Sequence, residues 1–226
     1  MSILESLGII LLIVTSHGEM DNGKPTGLWL EEFAVPYEIF TEAGYEVVIA
    51  SPKGGVGPVD PRSLPEKPTE AEEKAIELLQ NTIALADLSK EDYDAVFFAG
   101  GHGTMFDFPN DENVQKIVSA FFKDNKPIAF VCHGPAALVG AITEAGEPVA
   151  KGRKLTGFTN SEEDAVNLTD QMPFLLETEL KKQGAMFTSV ANFQPFIVVD
   201  ENVVTGQNPP SSKPAAEALL KLLEEK

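Results

Sequence analysis

The chain has one cysteine, Cys132, and so cannot form an internal disulfide. With no export signal to read, a reducing, cytoplasmic setting is the default expectation. Basic residues are also scarce: 17 Lys and Arg stand against 35 Asp and Glu, a formal charge of -18. Such a surface repels phosphate backbones, and the densest basic groupings, Lys151–Lys154 and Lys181–Lys182, are too short to reverse that. Nucleic acid is therefore not an expected partner. Long apolar runs are missing as well. Leu7–Val14 falls far short of the roughly 20 residues that cross a bilayer. It also lacks the basic leader and small-residue cleavage site of a signal peptide, and reads as a buried first strand, with no membrane role.

Histidine is limited to His17, His102 and His133, each just after a predicted strand end. Together with Cys132 they number enough ligands for zinc. None has short ligand spacing, however, and adjacent Cys132 and His133 are awkward as two ligands of one ion. No metal is expected. The glycine run Gly100–Gly103 lacks the lysine-serine ending of a phosphate loop and the spacing of a dinucleotide fingerprint, so no cofactor is expected.

What is present is a repeated alternation of apolar strands and amphipathic helices. Strands are predicted at Leu7–Val14, Tyr45–Ala50, Tyr93–Ala99, Pro127–Val131, Leu155–Thr159, Phe187–Val190, Phe196–Val199 and Val203–Thr205. Helices are predicted at Leu28–Ala43, Thr69–Leu85, Asp111–Phe122, from the turn after Cys132 to about Glu144, and at Pro173–Lys182 and Pro214–Glu225. This pattern predicts an α/β fold: a doubly wound, mostly parallel sheet with helices on both faces. Residues 1–226 read as a single domain. The Pro- and Gly-punctuated stretch after Ser51 reads as a surface excursion, with room for a small insertion around 54–92.

The chain is organised around Pro127–Leu138, where an apolar strand stops abruptly at Cys132–His133–Gly134–Pro135 and small helix-tolerant residues follow. A side chain at such a turn stands clear of the strand end, facing the unpaired amides of the next helix. Cys132 there is expected to be a nucleophile with a lowered thiol pKa. A buried structural cysteine is the alternative, against which Gly134 and Pro135 argue. Gly100 and Gly101 follow another strand, where close backbone approach and exposed amides suit an oxyanion. His133 can act as a base only if the turn folds its ring back to sulfur, and an acid would then be needed to orient it. Glu31 and Glu32, and the cluster Glu162–Glu163–Asp164, are candidates or plain surface acids.

The segments Lys24–Glu32, Ala99–Thr104, Val131–Pro135, Thr156–Thr159 and Val204–Pro209 together resemble the DJ-1/PfpI superfamily. These proteins are class I glutamine amidotransferase-like, and the resemblance is to their Hsp31-like glyoxalase III group. It implies a flavodoxin-like sandwich with a nucleophile elbow at Cys132. It also implies a triad of Cys132, His133 and Glu163, with Glu162 the alternative acid. Glu32 would lie beside the sulfur, and the amides of Gly101 and His133 would form the oxyanion hole. His17, Gly100 and His102 are candidate pocket residues. The implied activity is glutathione-independent conversion of a small 2-oxoaldehyde, methylglyoxal, to lactate in a stress response, by a cytoplasmic homodimer. Cysteine-dependent amidase, protease or deglycase activity and a holdase chaperone are the alternatives.

Overall fold

Nine strands and eight α-helices are arranged around one central sheet in the structure, a computed structural model that describes residues 6–88 and 93–225. In chain order the strands are β1 (Ile9–Ile13), β2 (Glu46–Ser51), β3 (Ile83–Ala84), β4 (Ala95–Phe98), β5 (Ile128–Val131), β6 (Lys154–Leu155), β7 (Met186–Phe187), β8 (Ile197–Asp200) and β9 (Val203–Gly206). The main sheet runs β3-β2-β1-β4-β5-β9-β8. Every pairing in it is parallel except that of β8 with β9, a hairpin turned at Glu201 and Asn202. It is therefore a largely parallel, flavodoxin-like sheet.

The central strands are apolar on both faces because helices cover both. Side chains of a strand alternate between faces. Ile10, Leu12 and Phe97 thus pack with Leu30, Phe33 and Phe40 of α1 (Leu30–Glu42). Ala75 of α2 (Glu70–Leu78) and Leu219 of α8 (Ser212–Glu224) complete that layer. On the other face Leu11, Ile13, Phe98 and Phe130 meet Val114, Ile117, Val118 and Phe121 of α4 (Glu112–Lys123). The short helices are α3 (Thr104–Asp107), α5 (Ala136–Val139), α6 (Asn160–Ala165) and α7 (Leu176–Lys182).

Several expectations shift. The helix predicted to reach Leu85 stops at Leu78, because Ile83 and Ala84 pair with Ala50 and Ser51 at the sheet edge. The helix after the cysteine covers only Ala136–Val139 and ends at Gly140 rather than near Glu144. Of Leu155–Thr159 only Leu155 is strand, and β6 pairs with β7 in a separate two-stranded sheet. The stretch read as a surface excursion is partly internal. Leu28 donates to Pro58 O and Asp60 donates to Leu28 O, which leaves Asp60 fully buried against the segment leading into α1. The end of that stretch, 89–92, lies outside the described residues. No helix among them is long and apolar enough to cross a membrane.

Candidate active site

The carboxyl ends of β4 and β5 lie side by side, and the chain turns sharply at both. At the β5 end Cys132 has φ 60, a left-handed conformation that costs a non-glycine residue about 1–2 kcal/mol. Three backbone bonds impose it: Cys132 N to Gly206 O at 2.9 Å, Phe158 N to Cys132 O at 2.8 Å and Gly134 N to Val131 O at 2.7 Å. Such strain persists only where the surroundings over-determine it. The turn folds the next ring back, so that His133 Nδ1 is 3.3 Å from Cys132 Sγ.

The other nitrogen of that ring, Nε2, lies 2.7 Å from Glu163 Oε2. Glu163 sits in the first turn of α6, which is capped by Thr159 and Glu162 bonding reciprocally. The adjacent acids therefore diverge. Glu162 turns away, accepting from the Thr159 amide and hydroxyl, the Phe193 amide and the side-chain amides of Gln207 and Asn208. Glu163 turns to His133 and, through Oε1, to His102 Nε2 at 2.6 Å. Burial opposes its charge, but His133 and the hydrogen bonds from both rings outweigh this and hold it well below the usual carboxylate range.

Glu32, in the first turn of α1, is fully buried beside the sulfur. Neither carboxyl oxygen makes a well-formed hydrogen bond, although the Cys132 thiol and the Gly100 amide are close enough to bias its ionisation. Burial raises its pKa well above the ordinary value, and those two neighbours only partly oppose this. A Cβ on Gly100 would stand 2.5 Å from Glu32 Oε2 and 2.8 Å from the His133 amide nitrogen, so only glycine lets these groups converge. The amides of Gly101 and His133 have no protein acceptor among the described residues. Thr104 Oγ1 links the two turns, facing Gly101 O at 2.8 Å and His133 O at 3.0 Å.

The lowered thiol pKa expected from the sequence is not what this environment gives. Burial raises the Cys132 pKa well above its ordinary value, reinforced by the carboxyls of Glu32, Glu162 and Glu163. The helix that follows has a single turn, too short a dipole to oppose them. Both groups are thus shifted toward their protonated, uncharged forms, and their titrations are coupled.

His102 lies on Glu163 and near His133, their ring centroids 4.1 Å apart. His17 is half-buried, its ring stacked on Phe106 at 4.7 Å and its carbonyl against Gly103, and no hydrogen bond among the described residues joins it to Cys132, His133 or Glu163. Two residues that the sequence reading missed stand behind His102. Arg62 Nη2 is 3.1 Å from His102 Nδ1, and Asp60 holds the guanidinium. Their sequence signal is local only: Asp60 caps a short turn that opens with Pro61. Nothing local shows that the turn reaches a histidine 40 positions on.

His102, His133 and Glu163 are the one grouping among the described residues that could gather around a metal, with ligand atoms within 4.8 Å. The chemistry of the set does not fit. Each Nε2 is already committed to a Glu163 oxygen, and Arg62, which can only donate, obliges His102 to keep its hydrogen on Nε2. The site is also tight: Cys132 is 3% exposed. An open groove of about 1050 Å³ between α4 and residues 140–153 contains none of these side chains.

An open α/β sheet with a strained cysteine elbow and a histidine-glutamate pair behind it defines a class of elbow-cysteine proteins. The chain belongs to the DJ-1/PfpI family, whose pattern matches residues 26–222. Within that family it groups with the Hsp31-like glyoxalase III proteins. It is 34% identical to glyoxalase 3 of Candida albicans, over 95% of this chain and 98% of that one. It is 32% identical to the glutathione-independent glyoxalase hsp3101 of Schizosaccharomyces pombe, over 97% of each. The crystal structure of the 24 kDa Rapid Encystment Protein of Francisella tularensis superposes with a TM-score of 0.92 at 35% identity, covering 96% of this chain and 99% of that one.

Proposed function

We propose that the chain is a glutathione-independent glyoxalase that converts methylglyoxal and water to lactate through Cys132. The observation that carries this reading is the placement of a fully buried carboxyl, Glu32, whose burial favours its protonated form, beside a thiol that already has its own base in His133. Acyl transfer needs the thiol and the histidine. Moving a proton between neighbouring carbons needs a second acid–base group, and Glu32 is that group.

With the thiol pKa raised, His133 Nδ1 takes the sulfur proton as sulfur adds to the aldehyde carbon, and Glu32 gives its proton to the aldehyde oxygen. The amides of Gly101 and His133 stabilise the charge that develops there. Glu32, now a carboxylate, removes the hydrogen on the aldehyde carbon. The electron pair forms the carbon–carbon double bond, and the ketone oxygen takes the proton from His133, giving an enediol. Glu32 then protonates the former ketone carbon while the hydroxyl next to sulfur loses its proton to His133, leaving a thioester. Water gives a proton to Glu32 and attacks the thioester carbon. Sulfur leaves and is reprotonated by His133, which restores the resting site. Glu163 supports the imidazolium in each step at which it forms.

The near-complete burial of Cys132 favours a small aldehyde over a protein substrate. Acid quenching during methylglyoxal turnover, followed by intact-mass and peptide analysis, tests the covalent route. A three-carbon adduct on Cys132, absent in Cys132→Ser, is the expected result. Adducts confined to lysine and arginine side chains, with Cys132 untouched, would overturn it.

A further inference from the structure

The reaction above uses no group of His102, yet that ring is buried and shares Glu163 with His133. Its protonation state can be read from its neighbours. A guanidinium has hydrogens to give and no lone pair to offer, so His102 Nδ1, facing Arg62 Nη2 at 3.1 Å, is the acceptor and carries no hydrogen. A neutral ring with a bare Nδ1 holds its hydrogen on Nε2, the nitrogen that faces Glu163 Oε1 at 2.6 Å. Asp60 keeps the guanidinium in place by accepting from Arg62 N and Nε at 2.9 Å and from Nη2, and Thr26 Oγ1 donates to Asp60 at 3.1 Å.

We propose that His102, fixed as the neutral Nε2–H tautomer by Arg62 and Asp60, is a positioning residue that occupies one oxygen of Glu163 with an uncharged donor and leaves the other oxygen to His133. Its kinetic consequence rests on the glyoxalase reading; its tautomer does not. The lack of charge matters. A second imidazolium on Glu163 would compete with His133 for the carboxylate and repel it across 4.1 Å. Leaving Oε1 bare would strand a buried carboxylate oxygen, make Glu163 more basic and free it to rotate or to take the proton from His133. The groups facing His102 are His133, Glu163 and Arg62, with Asp60 behind the last. Burial, the His133 charge and Arg62 together outweigh the pull of Glu163 and lower His102 to about 4, so it stays neutral through the working range.

Imidazole nitrogen NMR on the whole protein, with the His102 signals assigned by their loss in His102→Gln, reads the tautomer directly. The expected result near neutral pH is a neutral ring protonated on Nε2, and Arg62→Met should yield mixed tautomers or a charged ring. A wild-type ring protonated on Nδ1, or charged, would overturn the proposal. Gln can place an amide N–H where Nε2 stood, whereas Leu has similar bulk and no donor. His102→Leu should therefore lower kcat for lactate formation at least about 30-fold with KM within about threefold, and His102→Gln should recover to within about fivefold of wild type. The iodoacetamide rate at Cys132 should follow the same order. Equal kcat and alkylation rates in the Leu and Gln variants would reduce His102 to packing and sink the proposal. Wild-type protein that forms no lactate but shows the expected tautomer and alkylation order would sink the glyoxalase reading and leave this inference standing.

Discussion

Replacing Glu32 with Gln should change how stability depends on pH, because Glu32 is fully buried and its native pKa lies well above the ordinary 4.5. Between the unfolded and native values the folded protein holds one more proton than the unfolded chain. Its contribution is therefore fully present below about pH 4.5 and is lost as pH rises, by about 1.4 kcal/mol per unit. Glu32→Gln keeps the shape and removes that loss. Relative to wild type the variant should grow steadily more stable between about pH 5 and pH 7, by up to roughly 3 kcal/mol. His102, whose pKa is lowered, gives the opposite slope over part of this window, but it does so in both proteins and cancels in the difference. The Cys132 thiol ionises above the window and does not enter. Urea unfolding followed by the fluorescence of Trp29, the single tryptophan, measures the gap at the two pH values. Methylglyoxal turnover by the same variant should fall roughly 10²-fold or more, the scale of a lost acid–base group, while Cys132 remains open to iodoacetamide. Glu31→Gln, one position away and exposed, should stay within about fivefold of wild type. Parallel stability curves for wild type and Glu32→Gln would show that Glu32 is ionised in the native protein and refute the reasoning.

Glu163→Gln should lower turnover per folded molecule about 10³-fold or more, since it removes the carboxylate that orients His133. It should also cost stability, because one of the two rings that donate to Glu163 would face an NH₂. Glu162→Gln should cost stability without the loss of turnover. Every neighbour of that carboxylate is a donor, so an NH₂ in its place loses at least two bonds and about 3 kcal/mol, while each folded molecule turns over within a few-fold of wild type; a crippled but fully stable Glu162→Gln would reverse the two assignments. Gly100→Ala would put a methyl group 2.4 Å from Val131 O and 2.5 Å from Glu32 Oε2. It should cost at least about tenfold in turnover through displacement of the reacting groups, and normal lactate formation by that variant would show that they do not need to converge there.

The parallel sheet was readable because apolar runs such as Ala95–Phe98 and Ile128–Val131 alternate with strongly amphipathic segments such as Glu112–Lys123, whose Asp111 cap is visible as a residue type. The elbow was readable because an apolar strand ends at Cys132–His133–Gly134–Pro135. The extent of α5 was not, since its termination reflects tertiary packing at Gly140, where an added Cβ would meet Pro109 O. The state of the thiol was also hidden. Helix amides are a local feature, whereas the burial that raises the thiol pKa comes from the folded surroundings, to which Glu32 contributes from 100 positions earlier. Asp60 and Arg62 look like ordinary turn residues until the chain folds Arg62 against His102.

The central claim is tested most directly by measuring lactate from methylglyoxal with freshly reduced protein and no glutathione, beside Cys132→Ser. Lactate formed in proportion to wild-type protein, unchanged when glutathione is added and abolished in Cys132→Ser, is the predicted result. Methylglyoxal that persists with fully reduced wild-type protein, or lactate formed equally by Cys132→Ser, would contradict the account.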